Sequence, residues 1–368
     1  MFIDAVGLIF ADDKKIQLGE LTLPRALAAV PFGGRYRIID FMLSNMVNTG
    51  IKNIGVSTFN KYKSLMDHLG TGSPWDLDRK SPGLSILTPY LISDTYNGLN
   101  DLSAIINFLR FSKRKHVVIG GSSVIFNLQF NQMVDSHEQS GADITLLFSK
   151  ETTDFEEPNI VLEFDRKNKL KGFLLNPKNL SGMRKCFMDV MVIERELLLS
   201  ILQDNLSRGV AGVDFISFMQ LNDSLNIRGY EFKGMAMRIH SVHGYFAATM
   251  KTLTPAGRKA VFGSDQPVYT KVKDESPTYY SNESRVVSCM ISDGCVIEGD
   301  LKDSLLFRGV TVASGAKLRN CIIFQNSFIG ENCNLENCII DKNVHIKPGI
   351  TLTGQEAYPV VVGKGAIV

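Results

Sequence analysis

The chain has 368 residues, with 40 Lys and Arg against 38 Asp and Glu for a formal charge of +2, and it is 44% hydrophobic and 21% charged. That length predicts two or three domains. The hydrophobic content excludes a disordered chain, and the near-zero charge argues against nucleic acid as the main partner, since such partners leave a basic imbalance. No run of about 18 apolar residues occurs, so no membrane span is expected. The opening MFIDAVGLIFADDKK places an acid where a signal peptide carries its basic region, so it reads as a buried strand rather than an export signal.

Residues 4–10 form a short apolar run, typical of a strand covered on both faces. Residues 38–49 set Ile39, Met42, Leu43, Met46 and Val47 near helical spacing, with Gly50 as a stop. NIGVST at 53–58 is the next strand. Residues 100–110 are helical, with Leu102, Ile105, Ile106 and Leu109 on one face and Asn100 as N-cap. HVVIGG at 116–121 is a third strand, 131–140 a helix and DITLLFS at 143–149 a fourth strand. This alternation predicts a mostly parallel sheet with right-handed crossovers. Ligands on such sheets sit beyond the carboxyl ends of the strands, so the loops after Phe10, Thr58 and Gly121 are where chemistry is expected. Residues 160–164 and 170–175 flank a turn and read as a hairpin beside the main sheet.

Residues 251–285 carry Pro255, Gly257, Gly263, Ser264, Pro267 and Pro277 and read as a linker. From Val286 onward, small hydrophobic positions recur every five or six residues, with Gly294, Gly299, Gly309, Gly315, Gly330 and Gly349 between them. Such a hexapeptide repeat folds as a parallel β-helix. Five of the six cysteines, Cys289, Cys295, Cys321, Cys333 and Cys338, fall in this stretch, and Cys186 lies outside it. None forms a CxxC pair. They read as small inward-facing hydrophobes in a reducing cytoplasm rather than as zinc ligands. The division is therefore 1–250, a linker at 251–285, and a β-helix domain at 286–368.

The most distinctive stretch is RALAAVPFGGRYRIIDFMLSNMVNTGI at 25–51. It resembles the N-terminal region of bacterial ADP-glucose pyrophosphorylases (glucose-1-phosphate adenylyltransferases), which carry a VPFGG-YRIIDF-LSN block after a nucleotide-binding loop. TYNG, with Tyr96 and Gly98, and GYFAATMKTL at 244–253 match further family blocks. The resemblance covers essentially the whole chain. It implies an α/β, Rossmann-like nucleotidyltransferase domain followed by a left-handed parallel β-helix. The family reaction joins ATP and glucose 1-phosphate to give ADP-glucose and pyrophosphate in glycogen biosynthesis. It needs a Gly-rich loop against the triphosphate, carboxylates on Mg²⁺, and cations on the sugar phosphate.

This sequence departs from that pattern at the decisive positions. The family's GGxGTRL loop falls on DDKKIQL at 12–18, so two glycines become Asp12 and Asp13, the third becomes Lys15, and the arginine becomes Gln17. The basic residue of the family's RAKPAVPF falls on Leu27. The metal-holding Asp of the SGDH strand end becomes Ser122 or Ser123, and the second metal carboxylate falls on Arg238. The lysine of the sugar-phosphate motif becomes Asn176. Asp101 matches the acid of the family's GTADA segment, where Leu99 and Asn100 replace Thr and Ala. The resemblance thus implies a degenerate substrate site at Gln17, Leu27, Tyr96, Gly98, Asp101 and Asn176, with no catalytic residue and no metal in this chain. In the family, basic residues at the Arg25 and Arg37 positions contribute to effector anion sites, so the resemblance implies an anion site at Arg25, Arg35 and Arg37. A solvated helix start is the simpler reading of Arg35 and Arg37.

The pattern resembles the GlgD-type subunit found beside the catalytic GlgC-type subunit. It implies a non-catalytic or weakly catalytic regulatory subunit, assembled with the Mg²⁺-dependent paralogue as a heterotetramer. A residual sugar nucleotide or an anionic effector is a further expected partner. The alternative is an active sugar-phosphate nucleotidyltransferase with an atypical metal site. A third reading, an acyltransferase using His345 as general base, lacks an acyl-carrier pocket motif. His240 and His243 form an HxxH pair on an expected loop. Asp76 and Asp78 beside Trp75, and the KRK run at 113–115, read as solvated charges.

Overall fold

The computed structural model describes residues 3–12, 16–59, 61–79, 82–88, 100–152, 160–175, 182–209, 214–263 and 266–368, with the backbone alone of Asn100, Asp101 and Thr152. Asp13, Lys15, Tyr96, Gly98 and Asn176 lie outside the described residues.

The first domain is built on a nine-stranded sheet. Its parallel core runs His116–Gly120, Ala5–Phe10, Ile54–Ser57 and Leu84–Leu87 in spatial order. Alternate residues of Ala5–Phe10 point to opposite faces, as the two-residue period of a strand requires. Ala5 and Ile9 join a core with Met42, Leu43 and Met46 of the helix Ile38–Asn48. Val6 and Leu8 join a second core with Leu102, Ile105, Ile106 and Leu109 of Asn100–Phe111, completed by Leu198, Ile201 and Leu202 of Arg195–Ser207. Helices thus cover both faces, which explains why these strands read as unbroken apolar runs. The helix Ile38–Asn48 lies very close to the sheet: a Cβ at Gly7 would fall 2.6 Å from the Met46 sulfur, and one at Gly120 would fall 2.6 Å from that of Met42.

The long strand Met183–Glu194 was not legible as a strand in the sequence. It runs antiparallel to His116–Gly120 and also carries the strands Ile144–Thr152 and Ile160–Phe164. The hairpin of Ile160–Phe164 with Leu170–Leu175 forms the outer edge, where the sequence placed it.

The segment 251–285 is more structured than its Pro and Gly content predicts. Pro255 occupies the first turn of a helix, Pro255–Phe262, where its missing N–H costs nothing, and the Thr254 hydroxyl caps it by accepting from Gly257 N. β-Helix pairing begins at Tyr279–Tyr280 on Val296–Ile297, ahead of Val286.

The C-terminal domain is a left-handed parallel β-helix whose three faces are each five strands deep. In its later coils the advance is 17 residues: Lys317 stacks on Asn334, and Asn334 on Thr351. The corners demand left-handed backbone, which Cβ-bearing residues resist. One column of corners is accordingly Asp303, Asn320 and Asn337, with φ of 47°, 53° and 51°. Asn320 donates to the Asn337 side-chain oxygen, and Asn337 Nδ2 donates to Gly354 O at 3.1 Å. Cys295, Cys321, Cys333 and Cys338 are buried in the coil interior as free thiols, and Cys321 Sγ donates to Leu335 O in the next coil at 3.3 Å.

The faces are chemically unlike. On one, Leu301, Leu318 and Leu335 point inward while Asp300, Lys317 and Asn334 point out. On another, both sides are apolar. Ile291, Leu306, Ile323 and Ile340 fill the coil interior. Their neighbours Met290, Leu305, Ile322, Ile339 and Val361 stack outward against Phe32, Phe41, Tyr245 and Phe246 of the first domain. Doubly apolar dipeptides (MI, LL, II, II, VV) therefore mark the face that docks. Burying such a column stabilises the junction by roughly 1.5–3 kcal/mol per residue. Phe262 adds a ring stacked on Tyr36 at 5.1 Å between centroids.

Candidate functional site

Two places at this architecture's functional edges collect the residues singled out above. The first lies beyond the carboxyl ends of the parallel strands. Asp12 follows Ala5–Phe10, and its Oδ2 accepts hydrogen bonds from Thr58 Oγ1 (2.9 Å) and Phe59 N (2.7 Å). The carboxylate thereby ties two strand ends together. Gln17 is exposed and Leu27 buried, and both line a cavity of about 510 Å³ with Asp12, Phe59 and Lys61. Leu27 belongs to the core between the domains, so its side chain stabilises packing where a cation would reach for phosphate.

Ser122, Ser123 and Arg238, far apart in sequence, are neighbours in space. A two-stranded ribbon pairs Val124–Ile125 with Met237–Arg238, and Ile239 N donates to Ser123 O at 2.7 Å. Ser122 Oγ donates to Phe10 O at 3.1 Å, and Ser123 Oγ donates to Asp189 Oδ2. Arg238 is bidentate on Glu151, through Nε to Oε2 at 2.7 Å and Nη2 to Oε1 at 3.1 Å, while Nη1 donates to Phe187 O at 2.9 Å. Its side chain is only 9% exposed. Burial is the largest single influence on Glu151 and would raise its pKa, but the hydrogen bonds and charge of Arg238, with the Ser149 hydroxyl, together outweigh it and hold the carboxyl below its ordinary value. Burial likewise works against the Arg238 charge, and Glu151 more than restores it.

This donor set does not fit Mg²⁺. The ion requires anionic or phosphate oxygens at near-octahedral geometry. Here the hydroxyls are committed inward, and a guanidinium stands where the resemblance implies a second carboxylate. Glu151 and Asp189 do reach the locus, but one is occupied by Arg238 and the other accepts from Ser123. Among the described residues, no group of three or more His, Cys, Asp or Glu side chains is arranged to hold a metal. Sequence reasoning missed both acids. Asp189 carried a signal: a lone acid inside the apolar run CFMDVMVI, held at φ 54° at an irregularity in the strand pairing.

The second place is the junction between the domains. Arg35, Arg37, Asp67 and His68 meet Lys271, Lys273 and Glu275 of the connecting segment, and Arg308, Lys342 and Lys364 of the β-helix, around a cavity of about 180 Å³. Seven cations face two carboxylates there. Arg37 donates to Ser64 O and Oγ, and burial lowers its pKa to about 10. Arg35 pairs loosely with Asp293 at 3.3 Å, both about half exposed. Arg308 is 8% exposed, and its Nε is buried with no hydrogen-bond partner among the described residues. Burial, then Arg37 and Arg25, lower the Lys342 pKa to about 7.

Arg25 does not share this cavity with Arg35 and Arg37. It is 2% exposed and donates through Nη2 to Asp341 Oδ1 at 2.9 Å, with Asp341 fully buried. That ion pair bolts the first domain to the β-helix. His240 precedes the helix Val242–Lys251 and His243 lies on it, with Nδ1 3.2 Å from Glu356 O, so the pair does not present two nitrogens from one helix face. His345 stacks on Phe328 at 4.7 Å on an outer face of the β-helix. Asp76 pairs with Lys52 and Arg79. Asp101 lies in the first turn of Asn100–Phe111.

Comparison with known proteins bears on both places. Residues 7–211 match the nucleotidyl transferase family, and residues 273–357 match the GlmU-like, C-terminal hexapeptide family. The chain is 35% identical over 370 residues to the glycogen biosynthesis protein GlgD of Geobacillus stearothermophilus, covering 98% of this chain and 96% of that protein. It is 34% identical to GlgD of Bacillus subtilis (strain 168), covering 85% and 82%. It is 32% identical to the glucose-1-phosphate adenylyltransferase of Thermosipho melanesiensis, covering 86% and 78%. The chain belongs to the nucleotidyltransferase family of GlgD and glucose-1-phosphate adenylyltransferase. In this member of that glycogen-biosynthesis family, an internal ion pair joins Arg238 to Glu151, and seven cations gather where the two domains meet. No helix among the described residues is long and apolar enough to cross a membrane.

Proposed function

We propose that this chain is a non-catalytic or weakly catalytic regulatory subunit of a cytoplasmic glucose-1-phosphate adenylyltransferase, working by assembly with a catalytic, Mg²⁺-dependent paralogue in a mixed tetramer. The observation that carries this reading is the Arg238–Glu151 pair at the position of a metal carboxylate. A bidentate, largely desolvated pair of this kind costs several kcal/mol to break, so a dication does not displace it at ordinary concentrations. Asp12 at the first glycine of the phosphate loop adds like-charge repulsion. The docked β-helix, by contrast, keeps its full apolar column, which a scaffold needs. Regulation follows by linkage: a subunit that binds the active conformer of its partner better shifts the partner's population by that difference in affinity.

The basic cavity at the domain junction supports a second part of the reading, binding of an anionic effector by Arg35, Arg37, Arg308 and Lys342. Arg308, buried with an unsatisfied Nε, is the feature that most needs such a ligand. The experiment is ADP-glucose synthesis by this chain alone, the paralogue alone, and the two co-expressed. Silence of the isolated chain, with a changed rate or effector response in the mixture, is expected. Synthesis by the isolated chain at the paralogue's rate would overturn the proposal.

A further inference from the structure

We propose that Lys342 is a modification site, acylated by small acyl phosphates that the basic cavity recruits through their phosphate group. The proposal rests on the anion pocket described above but not on any effector role for it. Three observations carry it. Lys342 follows Asp341, whose carboxylate is turned away to Arg25 and also accepts from the Lys342 backbone N–H at 2.7 Å. The Lys342 ammonium therefore has no carboxylate within ion-pair distance among the described residues. Arg37 and Arg25 from the first domain and Lys364 from the last coil face it, all of one sign, with Lys271, Lys273 and Arg308 across the cavity. The carboxylates on the cavity wall, Asp67 and Glu275, belong to other elements; Asp67 accompanies Lys271 at 3.9 Å. Finally, Lys342 is only partly buried, and the cavity of about 180 Å³ opens beside it.

Burial first, and then the charges of Arg37, Arg25 and Lys364 against the opposing Asp341, disfavour a positive charge on Lys342 and lower its pKa to about 7. An exposed lysine with a pKa near 10.4 has roughly one amine in 2,500 neutral at pH 7. In the reaction, the Lys342 Nζ lone pair attacks the acyl carbon and a C–N bond forms. The C–O bond to phosphate breaks, inorganic phosphate leaves with that electron pair, and the surplus amine proton passes to water. The product amide has lost its charge, which removes one of the seven cations and weakens anion binding.

The test incubates the full chain with acetyl phosphate at pH 7.5 and follows each lysine by peptide mass spectrometry. A parallel arm uses a neutral acetyl ester as donor. Lys342 is expected to label about tenfold or more faster than the exposed Lys167 and Lys259. Inorganic phosphate should suppress that labelling, and Arg37→Ala should slow it severalfold with acetyl phosphate but not with the ester. Equal rates at Lys342, Lys167 and Lys259 would overturn the proposal. Calorimetry with inorganic phosphate separates the two ideas. Phosphate binding without selective acylation removes only the modification site. Absence of phosphate binding, with labelling by the ester alone, removes the anion pocket as well.

Discussion

Replacing Arg25 by Met should loosen the joint between the two domains while leaving the basic cavity able to bind anions. The Arg25–Asp341 pair has side-chain exposures of 2% and 0%, with nitrogen and oxygen 2.9 Å apart. At an effective dielectric constant of about 20, that separation gives a Coulomb attraction of about 6 kcal/mol, most of it offset by desolvation of the two charges. Removing one partner alone costs about 3–5 kcal/mol, because the other charge stays buried without compensation. Asp341 keeps the backbone N–H of Lys342, while its Oδ2 already lacks a hydrogen-bond partner among the described residues, so Arg25→Met should fall near the lower end, about 3 kcal/mol. Asp341→Leu should cost a similar amount. The double variant should recover about 2 kcal/mol or more relative to the sum of the singles, since no charge is then stranded. Urea unfolding of the four proteins measures this, read by the single tryptophan, Trp75, which is 1% exposed in the first domain, and by far-UV signal for the β-helix. Additive effects, with coupling under about 0.5 kcal/mol, would refute the idea that this pair bolts the domains. Loss of phosphate binding in Arg25→Met with unchanged stability would return Arg25 to the anion site instead.

His137 should make the fold acid-sensitive. Its pKa falls to about 4, chiefly through burial and then through His116, so the folded state holds it neutral while the unfolded chain protonates it near 6.5. Stability is therefore full above about pH 6.5 and lost as pH falls toward 4, by up to about 3 kcal/mol, and the slope of Tm against pH in that window should flatten in His137→Gln. Asn337→Ala should cost about 2 kcal/mol, since alanine resists φ of 51° and two ladder hydrogen bonds disappear, whereas Asn337→Gly should cost about half as much. Ile322→Ala, at a fully buried position on the docking face, should cost about 2–4 kcal/mol in chemical denaturation. Arg238→Asp should give no ADP-glucose synthesis by the isolated chain, because Ser123 and the acidic loop remain, and it should destabilise the fold by setting two acids against each other at Glu151. Appreciable turnover in that variant would show that Arg238 alone silences the site.

The sequence by itself determined the two-part plan. The alternation of apolar strands with amphipathic helices, and the five-to-six-residue repeat after Val286, are local periodicities that a chain displays without reference to distant residues. It also displayed where the chain departs from the motifs of the family it resembles, because glycine or carboxylate positions are visibly filled by DDKKIQL, Ser122, Ser123 and Arg238. The strand Met183–Glu194 was hidden because its antiparallel partners lie elsewhere in the chain, and its lone Asp189 interrupts the apolar pattern at a bulge. Only the tertiary structure decided what surrounds those positions. Glu151 reaches Arg238 across 87 positions of sequence, and Arg25 reaches Asp341 across 316. The same distinction separates Arg25 from Arg35 and Arg37: in sequence they are one basic cluster, whereas in the fold one is buried in an ion pair and the others line a cavity. Charge in a sequence has a sign but no surroundings. Whether a cation is a bolt, a plug or a binding group depends on which acid, and how much water, the fold brings beside it.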